Sequence, residues 1–393
     1  MLNFSFHLPT QFEFGTGAER KAGEMIARFG GKRALVHYGG GSAVRSGLLA
    51  RVLESLDAAG IAHVELGGVM PNPRDELVYQ GIQMVRDQQL DFILAIGGGS
   101  SIDSGKAIAA GALYDGDFWD FFCGKALPET ALPLGCILTI AAAGSESSNS
   151  CVITQASTQQ KRGLNVELNR PRFALMNPEL TYTLPAYQTA AGATDIMAHV
   201  MERYFSNEPE SDVTDRLCEA ILCSVVKAAP IAIENPNDYD SHAQLMWAST
   251  IAHNNTCGVG RVFDGASHKI EHELSGIYDV AHGAGLAVVF PAWLRWQLTH
   301  HEPSKLVQFA VRVWGCDIDL GHPERCAMQG IERYEAFLRS IGMPLTLREL
   351  GIENPDIQRI ADGTRRNPGT DVCGFFTPMD TAAIVELLQI ANG

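Results

Sequence analysis

The chain has 393 residues, more than one compact core usually holds, so two domains are predicted. With 46% hydrophobic and 19% charged residues, its composition is that of a folded globular protein. A net charge of −15 and the lack of a basic stripe argue against nucleic acid or an anionic membrane as a partner.

The first half alternates short apolar runs with longer segments of helical periodicity. Strands are predicted at 33–38, 62–66, 91–96 and 136–140, and helices at 48–59, 76–85 and 101–113. Strands that alternate with helices predict a parallel sheet covered by helices on both faces.

The second half is helical, because β-branched runs are sparse from Tyr187 onward. Helices are predicted at 190–205, 212–227, 243–252, 304–313, 324–341 and 380–390. Pro185 follows an extended segment and precedes the first long helix, which favours a boundary there. We therefore expect an α/β domain of the nucleotide-binding type at 1–185 and an all-helical domain at 186–393.

Nine cysteines are scattered along the chain, and none forms a Cys-x2-Cys pair. Several are flanked by apolar residues, as Cys136 is, which is typical of buried thiols in a reducing compartment. The start, Met1-Leu2-Asn3-Phe4, lacks the features of a signal peptide, and no apolar run has the length of a membrane span. These observations predict a cytoplasmic protein.

Two strand–helix junctions carry the same glycine-rich turn, Gly39-Gly40-Gly41-Ser42 and Gly97-Gly98-Gly99-Ser100. Glycines let a phosphate approach the backbone, and the following helix N-terminus offers free N–H groups. A tight turn without any ligand would select the same residues. The second turn departs from a P-loop at Ala107 and from the Rossmann fingerprint at Ile102, so it predicts dinucleotide or phosphate binding in another fold.

Four residues near the middle of the chain form a candidate metal site. Asp195 and His199 have the i,i+4 spacing that places both on one face of a helix, and His268 and His282 frame the pattern His268-x3-His272-x9-His282. One carboxylate and three imidazoles suit Zn²⁺ or Fe²⁺, and such a metal can polarise a carbonyl. A single histidine at helical spacing is more often an ordinary polar residue, so the combination carries the hypothesis.

The chain resembles the iron-containing (group III) alcohol dehydrogenase family over nearly its whole length, especially the NADPH-dependent butanol dehydrogenase or aldehyde reductase branch. The most specific match is His268-Lys269-Ile270-Glu271-His272-Glu273-Leu274-Ser275-Gly276-Ile277-Tyr278-Asp279-Val280-Ala281-His282-Gly283. Other blocks match in the same order: Tyr38-Gly39-Gly40-Gly41-Ser42, Pro71-Asn72-Pro73, Gly97-Gly98-Gly99-Ser100-x2-Asp103 and Gly192-Ala193-Thr194-Asp195. The resemblance implies a dehydroquinate-synthase-like α/β domain, an all-α domain and an active site in the interdomain cleft.

The resemblance also implies roles for individual residues. The metal, Fe²⁺ or Zn²⁺, would be held by Asp195, His199, His268 and His282. His272 would lie near the nicotinamide, where a proton relay and packing behind the ligands are both open. Lys161 is a ribose contact or a solvated loop lysine. The residues implied to surround the dinucleotide are Gly40, Gly41, Ser42, Asn72, Gly98, Gly99, Ser100, Asp103, Thr139, Ser145, Lys161 and Tyr182.

Cofactor choice is predicted from the first glycine turn. Family members that prefer NAD place an aspartate after the first strand, where its carboxylate accepts from the adenosine ribose. Here Gly40 takes that place, so no carboxylate repels a 2′-phosphate and Ser42 can donate to one. NADP(H) is therefore expected. The chain departs from the family at Ala143, where a threonine is usual, and cofactor affinity or substrate preference can differ there.

The predicted function is a metal-dependent, NADP(H)-linked alcohol dehydrogenase that reduces short aldehydes, with hydride crossing the interdomain cleft. A glycerol-dehydrogenase-like polyol oxidoreductase and a dehydroquinate-synthase-like lyase remain alternatives within the same fold, although Asp195 with three histidines argues against the lyase. A non-catalytic nucleotide- or metal-binding protein is a third alternative. The resemblance further suggests a homodimer.

Overall fold

The computed structural model describes residues 1–208 and 211–393. These residues divide into two compact units, one of residues 7–183 and one of residues 1–6 with 184–393, which we call the sheet unit and the helical unit. The first residues belong to the helical unit because the Leu2 N–H donates to the Gly260 carbonyl at 2.8 Å. No helix of the described residues is long and apolar enough to cross a membrane.

The sheet unit is built on a parallel sheet, as the alternating pattern predicts. Its strands are β1 (Gln11–Phe14), β2 (Arg33–Gly39), β3 (Ala62–Val69), β4 (Phe92–Gly97), β5 (Leu134–Leu138), β6 (Ser150–Gln155), β7 (Gln160–Asn165) and β8 (Phe173–Met176). Six of them form one sheet in the order β1-β8-β5-β4-β2-β3, and β6 and β7 form an antiparallel hairpin. β3 continues past its predicted end at residue 66, because pairing with β2 resumes at Val69, opposite Gly39, after an irregularity in the register.

Helices cover both faces of the sheet, so the inner strands β4, β5 and β8 are nearly continuous apolar runs. On β4, Phe92 and Leu94 pack with one set of helices and Ile93 with the other, because successive side chains point to opposite faces. The helices of this unit are α1 (Ala22–Arg28), α2 (Ser42–Arg45), α3 (Leu48–Ala58), α4 (Asp75–Gln88), α5 (Gly99–Gly111) and α6 (Trp119–Phe122).

The strand order places both glycine turns at the same point of the sheet. The chain runs from β2 outward to the edge strand β3, and then returns so that β4 pairs with the other side of β2. The topological switch point therefore lies between β2 and β4, where open α/β sheets bind ligands beyond the carboxyl ends of the strands. Gly39-Gly40-Gly41-Ser42 and Gly97-Gly98-Gly99-Ser100 follow those two ends.

The helical unit contains the remaining helices, and the predicted all-helical character is confirmed. Their bounds are α7 (Ala186–Tyr204), α8 (Asp212–Glu234), α9 (Tyr239–His253), α10 (Ala266–Tyr278), α11 (His282–His300), α12 (Ser304–Arg312), α13 (Pro323–Ser340), α14 (Ile357–Gly363) and α15 (Thr381–Asn392). Every residue of α7 from Thr189 to Tyr204 is buried, so this helix is the centre of the unit. All nine cysteines are free thiols; Cys123 and Cys223 are exposed and the others buried.

A buried histidine joins the sheet to α5. His37 on β2 is fully buried; its Nδ1 lies 2.8 Å from the Leu66 carbonyl oxygen and its Nε2 lies 2.8 Å from the Ser104 hydroxyl. Burial lowers the pKa of His37 from its ordinary 6.5 to about 4, because the charged ring would lose its hydration. Between pH 6.5 and about 4, His37 is therefore neutral in the folded chain and protonated in the unfolded chain.

We predict that His37 makes the protein sensitive to mild acid. Stability should fall as the pH drops below 6.5 and the loss should level off below about 4, reaching about 2 kcal/mol at pH 5. The variant His37→Gln should be less stable at neutral pH but should lose less stability between pH 6.5 and 4.5. Denaturant unfolding across this range measures both slopes, and equal slopes would contradict the prediction.

Candidate metal centre and nucleotide site

The four predicted metal ligands come from three helices of the helical unit and meet around one oxygen. Asp195 and His199 lie one turn apart on α7, His268 lies on α10, and His282 is the first residue of α11. The Asp195 Oδ1 atom is 3.3, 3.6 and 3.7 Å from the Nε2 atoms of His199, His268 and His282. The donor atoms of Asp195, His268 and His282 all lie within 4.8 Å of one another, and His199 joins this group through its contact with Asp195.

The donor atoms at this point lack ordinary hydrogen bonds. Among the described residues, no group forms a hydrogen bond with the buried Asp195 Oδ1 or His268 Nε2. The distance of 3.6 Å between these two atoms is longer than a hydrogen bond. Leaving a buried carboxylate oxygen and an imidazole nitrogen without partners is costly, and a divalent cation would satisfy both. The donor set fits the metal that the sequence predicts.

A close helix contact brings His282 to the centre. Gly283, the next residue of α11, packs so tightly on α7 that a β-carbon there would overlap the backbone oxygen of Ala191. Any larger residue would push the start of α11 away from α7. In the His282-Gly283 pair of the sequence motif, the predicted ligand is therefore followed directly by the residue whose close contact positions it.

A buried carboxylate orients His268. Glu202 on α7 accepts the His268 backbone N–H at 3.0 Å, and its other oxygen lies 2.7 Å from Nδ1. This contact turns Nε2 toward Asp195. Burial disfavours a charged His268, yet Glu202 and Asp195 outweigh burial and raise its pKa to about 10. Without a metal the ring therefore holds a proton, which metal binding must displace.

A second carboxylate orients His282 in the same way. Glu271 on α10 is fully buried; one of its oxygens contacts His282 Nδ1 and the other accepts the Ser275 hydroxyl. The ring of His272 lies 5.6 Å from that of His282, and their donor atoms form a compact group with Glu271. His272 thus lies beside the predicted metal centre. This position agrees with both roles considered for it, a proton relay and packing behind the ligands.

Sequence analysis missed both orienting carboxylates, although a signal for them exists. Glu202 is seven residues after Asp195 and three after His199, so all three share a helix face. Glu271 is three residues after His268 and belongs to the signature motif. Helical spacing from a ligand would have identified both.

His253, at the end of α9, is a further residue that sequence analysis missed. Its ring stacks on His199 with a centroid distance of 4.0 Å and an angle of 20°. Burial, together with the nearby imidazoles of His253 and His268, holds the pKa of His199 well below its usual value. His199 is therefore neutral, the form that can donate a lone pair to a metal.

The glycine turns contribute six of the predicted nucleotide residues. Gly40 and Gly41 link β2 to α2, which begins at Ser42. Gly98 is the N-cap of α5, so Gly99 and Ser100 form its first turn. Both groups follow the carboxyl ends of adjacent strands.

Asn72 and Lys161 lie together next to this edge of the sheet. Asn72 follows β3 and adopts a left-handed backbone conformation with φ of 53°. Lys161 on β7 is buried, and its ammonium donates to Asn72 Oδ1 at 3.0 Å. The alternative of a solvated loop lysine is therefore wrong, because burial in a strand pair replaces the expected loop.

Asp103 and Ser145 contact each other. The Ser145 hydroxyl donates to Asp103 Oδ1 at 2.5 Å, and the Val152 N–H donates to Oδ2 at 2.8 Å. Lys106, fully buried, donates to Ser145 Oγ at 2.8 Å and to the Ser150 carbonyl at 2.7 Å. Sequence analysis rejected a P-loop at Ala107 and missed this lysine. These contacts fix the segment after β5 to α5.

The remaining predicted residues occupy the ends of central strands. Thr139 follows β5, and its N–H donates to the Gly97 carbonyl at 3.0 Å. Ala143, the departure from the family pattern, lies against the second glycine turn, since a β-carbon on Gly99 would be 3.2 Å from its methyl group. Tyr182 is half-buried at the end of the 3-10 turn Pro178–Thr181 after β8.

Comparison with known families identifies the chain. The iron-containing alcohol dehydrogenase model matches residues 9–178, and the C-terminal model of the Fe-containing alcohol dehydrogenase family matches residues 189–391. The chain belongs to the iron-containing alcohol dehydrogenase family. As a member of it, the chain is an oxidoreductase, which excludes the lyase and the non-catalytic protein.

Relatives with different cofactors resemble this dehydrogenase about equally. NADH-dependent butanol dehydrogenase A of Clostridium acetobutylicum is 39% identical over 389 residues, which cover 99% of each chain. NADPH-dependent aldehyde reductase YqhD of Escherichia coli is 37% identical over 362 residues, or 91% of each chain. The crystal structure of NADH-dependent butanol dehydrogenase A from Thermotoga maritima has a TM-score of 0.96 at 37% identity and covers 99% of that chain and 100% of this one. Membership of the family implies a metal and a nicotinamide cofactor.

We predict that Gly283→Ala weakens metal binding. The added methyl group must displace α11 from α7, which moves His282 away from Asp195, and overpacking of this kind costs about 1–3 kcal/mol. Metal affinity, measured by competition with a chromogenic chelator, should fall about tenfold or more.

Gly163→Ala serves as the control for this prediction, since a β-carbon there would lie 3.7 Å from Val152, an ordinary contact. Its metal affinity should equal that of the parent protein. Parent-like affinity in Gly283→Ala would show that the helix contact does not place His282.

Proposed function

We propose that this family member is a metal-dependent, NADP(H)-linked alcohol dehydrogenase that works as a reductase of short aldehydes. The observation that carries the proposal is the cluster of three imidazole Nε2 atoms within 3.3–3.7 Å of Asp195 Oδ1. Butanol dehydrogenases and an aldehyde reductase among the relatives support the substrate class.

The proposed ligands are Asp195, His199, His268 and His282. A divalent ion bound by them would supply a Lewis acid for the carbonyl oxygen, and the nicotinamide would supply the hydride. The chain's own residues would hold the ion in place, since Glu202 and Glu271 orient two of the imidazoles. Fe²⁺ and Zn²⁺ both suit one carboxylate and three imidazoles. His272 is proposed to pass a proton to the alkoxide product, because its ring is next to that of His282.

The sheet unit is proposed to bind the dinucleotide at the switch point. The N-terminus of α5 at Gly98-Gly99-Ser100 would take the pyrophosphate through its free N–H groups. The first glycine turn would lie at the adenosine ribose, and Asn72 with Lys161 at the ribose hydroxyls. Asp103 and Ser145 would shape the wall of the site, since they already contact each other. Thr139 and Tyr182 complete the proposed set.

NADP(H) is proposed over NAD(H) because of the first glycine turn. A β-carbon on Gly40 would meet no atom within 4 Å, so the turn has room for a phosphate and presents no carboxylate to it. The Ser42 hydroxyl is exposed and can donate to phosphate oxygens. Relatives named for NADH and for NADPH have similar sequence identity to this chain, so their names do not favour one cofactor. The proposed preference for NADP(H) therefore depends on the turn.

We predict that Gly40→Asp shifts preference from NADPH toward NADH. The new carboxylate would repel a 2′-phosphate and would accept from the ribose hydroxyls, a charged hydrogen bond worth about 1.5–3 kcal/mol. The ratio of kcat/KM for the two cofactors should change about tenfold or more, since about 1.4 kcal/mol suffices. Steady-state kinetics with both cofactors measures it, and an unchanged ratio would leave Gly40 as a turn residue only.

A homodimer is also proposed. Phe4, Phe6 and Phe14 are large apolar side chains with exposed fractions of 56%, 44% and 43%. Phe14 lies on β1, the edge strand of the sheet. Exposed large apolar side chains are typical of an interface.

The function is tested by NADPH oxidation over a panel of short aldehydes. Activity should disappear with a chelator and return with Fe²⁺ or Zn²⁺. His268→Ala should lose turnover and bound metal, because loss of one ligand of four weakens the metal by orders of magnitude.

His300→Ala provides a matched control, since His300 is at the far end of α11 from the metal ligand. It should keep full metal content and activity. Stoichiometric metal and parent-like rates in His268→Ala would overturn the ligand assignment.

A further inference from the structure

The first glycine turn carries an exposed cation. Arg45, the last residue of α2, is exposed, and a β-carbon on Gly41 would lie 2.9 Å from its Nη1 atom. Among residues 1–208 and 211–393, no hydrogen bond or ion pair engages the Arg45 guanidinium. The guanidinium therefore rests against the backbone of the turn with its donors available.

Arg51 on α3, the next arginine along the chain, differs from Arg45 because other residues accept its hydrogen bonds. Arg51 donates to Glu19 and to the Ser46 carbonyl, each at 3.3 Å, so its charge is engaged within the chain. The Ser42 side chain, three residues before Arg45, forms no hydrogen bond with any described residue. Two unengaged donors, a hydroxyl and a guanidinium, thus flank the space that Gly40 leaves open.

We infer that Arg45 is the residue that binds the 2′-phosphate of NADP(H) and sets cofactor preference. The inference rests on the proposed NADP(H) function. It assigns to Arg45 the main positive charge of the proposed phosphate site. Gly40 only removes repulsion, and Ser42 offers one neutral donor, whereas a phosphate dianion needs a cation. A guanidinium presents several N–H groups in a plane, which matches phosphate oxygens in pairs. Gly41 permits the contact, because its φ of +117° and the 2.9 Å approach both disfavour a side chain there.

The test uses nucleotide fragments, so its readout does not depend on the metal or on turnover. Calorimetry compares adenosine 2′,5′-bisphosphate with adenosine 5′-monophosphate for the parent protein, Arg45→Gln, Arg45→Lys and Arg51→Gln. Arg45→Gln should weaken the bisphosphate about tenfold or more, the effect of losing a charged hydrogen bond, and leave the monophosphate unchanged. Arg45→Lys should recover part of the affinity, because it restores the charge without the planar donor pair. Arg51→Gln should match the parent.

Cofactor kinetics provide a second readout. The ratio of kcat/KM for NADPH over NADH should fall about tenfold or more in Arg45→Gln, with the NADH value unchanged. The advantage of NADPH in the parent should shrink as salt rises, because an exposed charge pair is screened, and this salt dependence should disappear in Arg45→Gln.

The outcomes separate the two claims. A parent protein that binds both fragments equally would overturn the proposed NADP(H) preference and the role of Arg45 with it. A parent that prefers the bisphosphate, together with an Arg45→Gln variant that keeps the same preference, would overturn the role of Arg45 alone. An Arg51→Gln variant that loses the preference to the same extent would show a general effect of charge instead of a specific contact.

Discussion

The contact between the start of α11 and the middle of α7 is the constraint on which the metal centre depends. His282 is the first residue of α11, and the next position must be glycine because the Ala191 carbonyl leaves no room for a β-carbon. α7 is itself buried along most of its length, so it cannot move aside to accept a larger residue. The packing of the core and the position of a predicted metal ligand therefore depend on the same contact.

Charge balance follows from that geometry. The helical unit buries Asp195, Glu202 and Glu271, which are 3%, 1% and 0% exposed, around three imidazoles. Buried carboxylates need compensation, and the high pKa of His268, about 10, shows that a proton supplies part of it. A divalent ion would replace this proton and also satisfy Asp195 Oδ1. The same charges that orient the imidazoles thus favour a cation at their centre.

Periodicity predicted the parallel sheet, the helical second half and most helix positions, because these depend on local patterns of apolar residues. It did not predict the β6–β7 hairpin or β1, whose residues are too polar or too few for a clear pattern. The resemblance supplied the ligand set, yet Lys106 and His253 were missed. Their roles arise from partners such as Ser150 and His199, which are distant in sequence and meet only in the folded chain.

α5 shows how contacts deep in the sheet unit hold a surface turn in place. Three residues within one turn of this helix point to three different partners: Asp103 to Val152 on the hairpin, Ser104 to His37 on β2, and Lys106 to the segment that leads into β6. Each partner is buried or half-buried, so the hydrogen bonds compete little with water. The N-terminus of the same helix carries Gly98-Gly99-Ser100. A turn built almost entirely of glycine would otherwise be flexible, and the polar contacts one turn below fix the direction of its N–H groups.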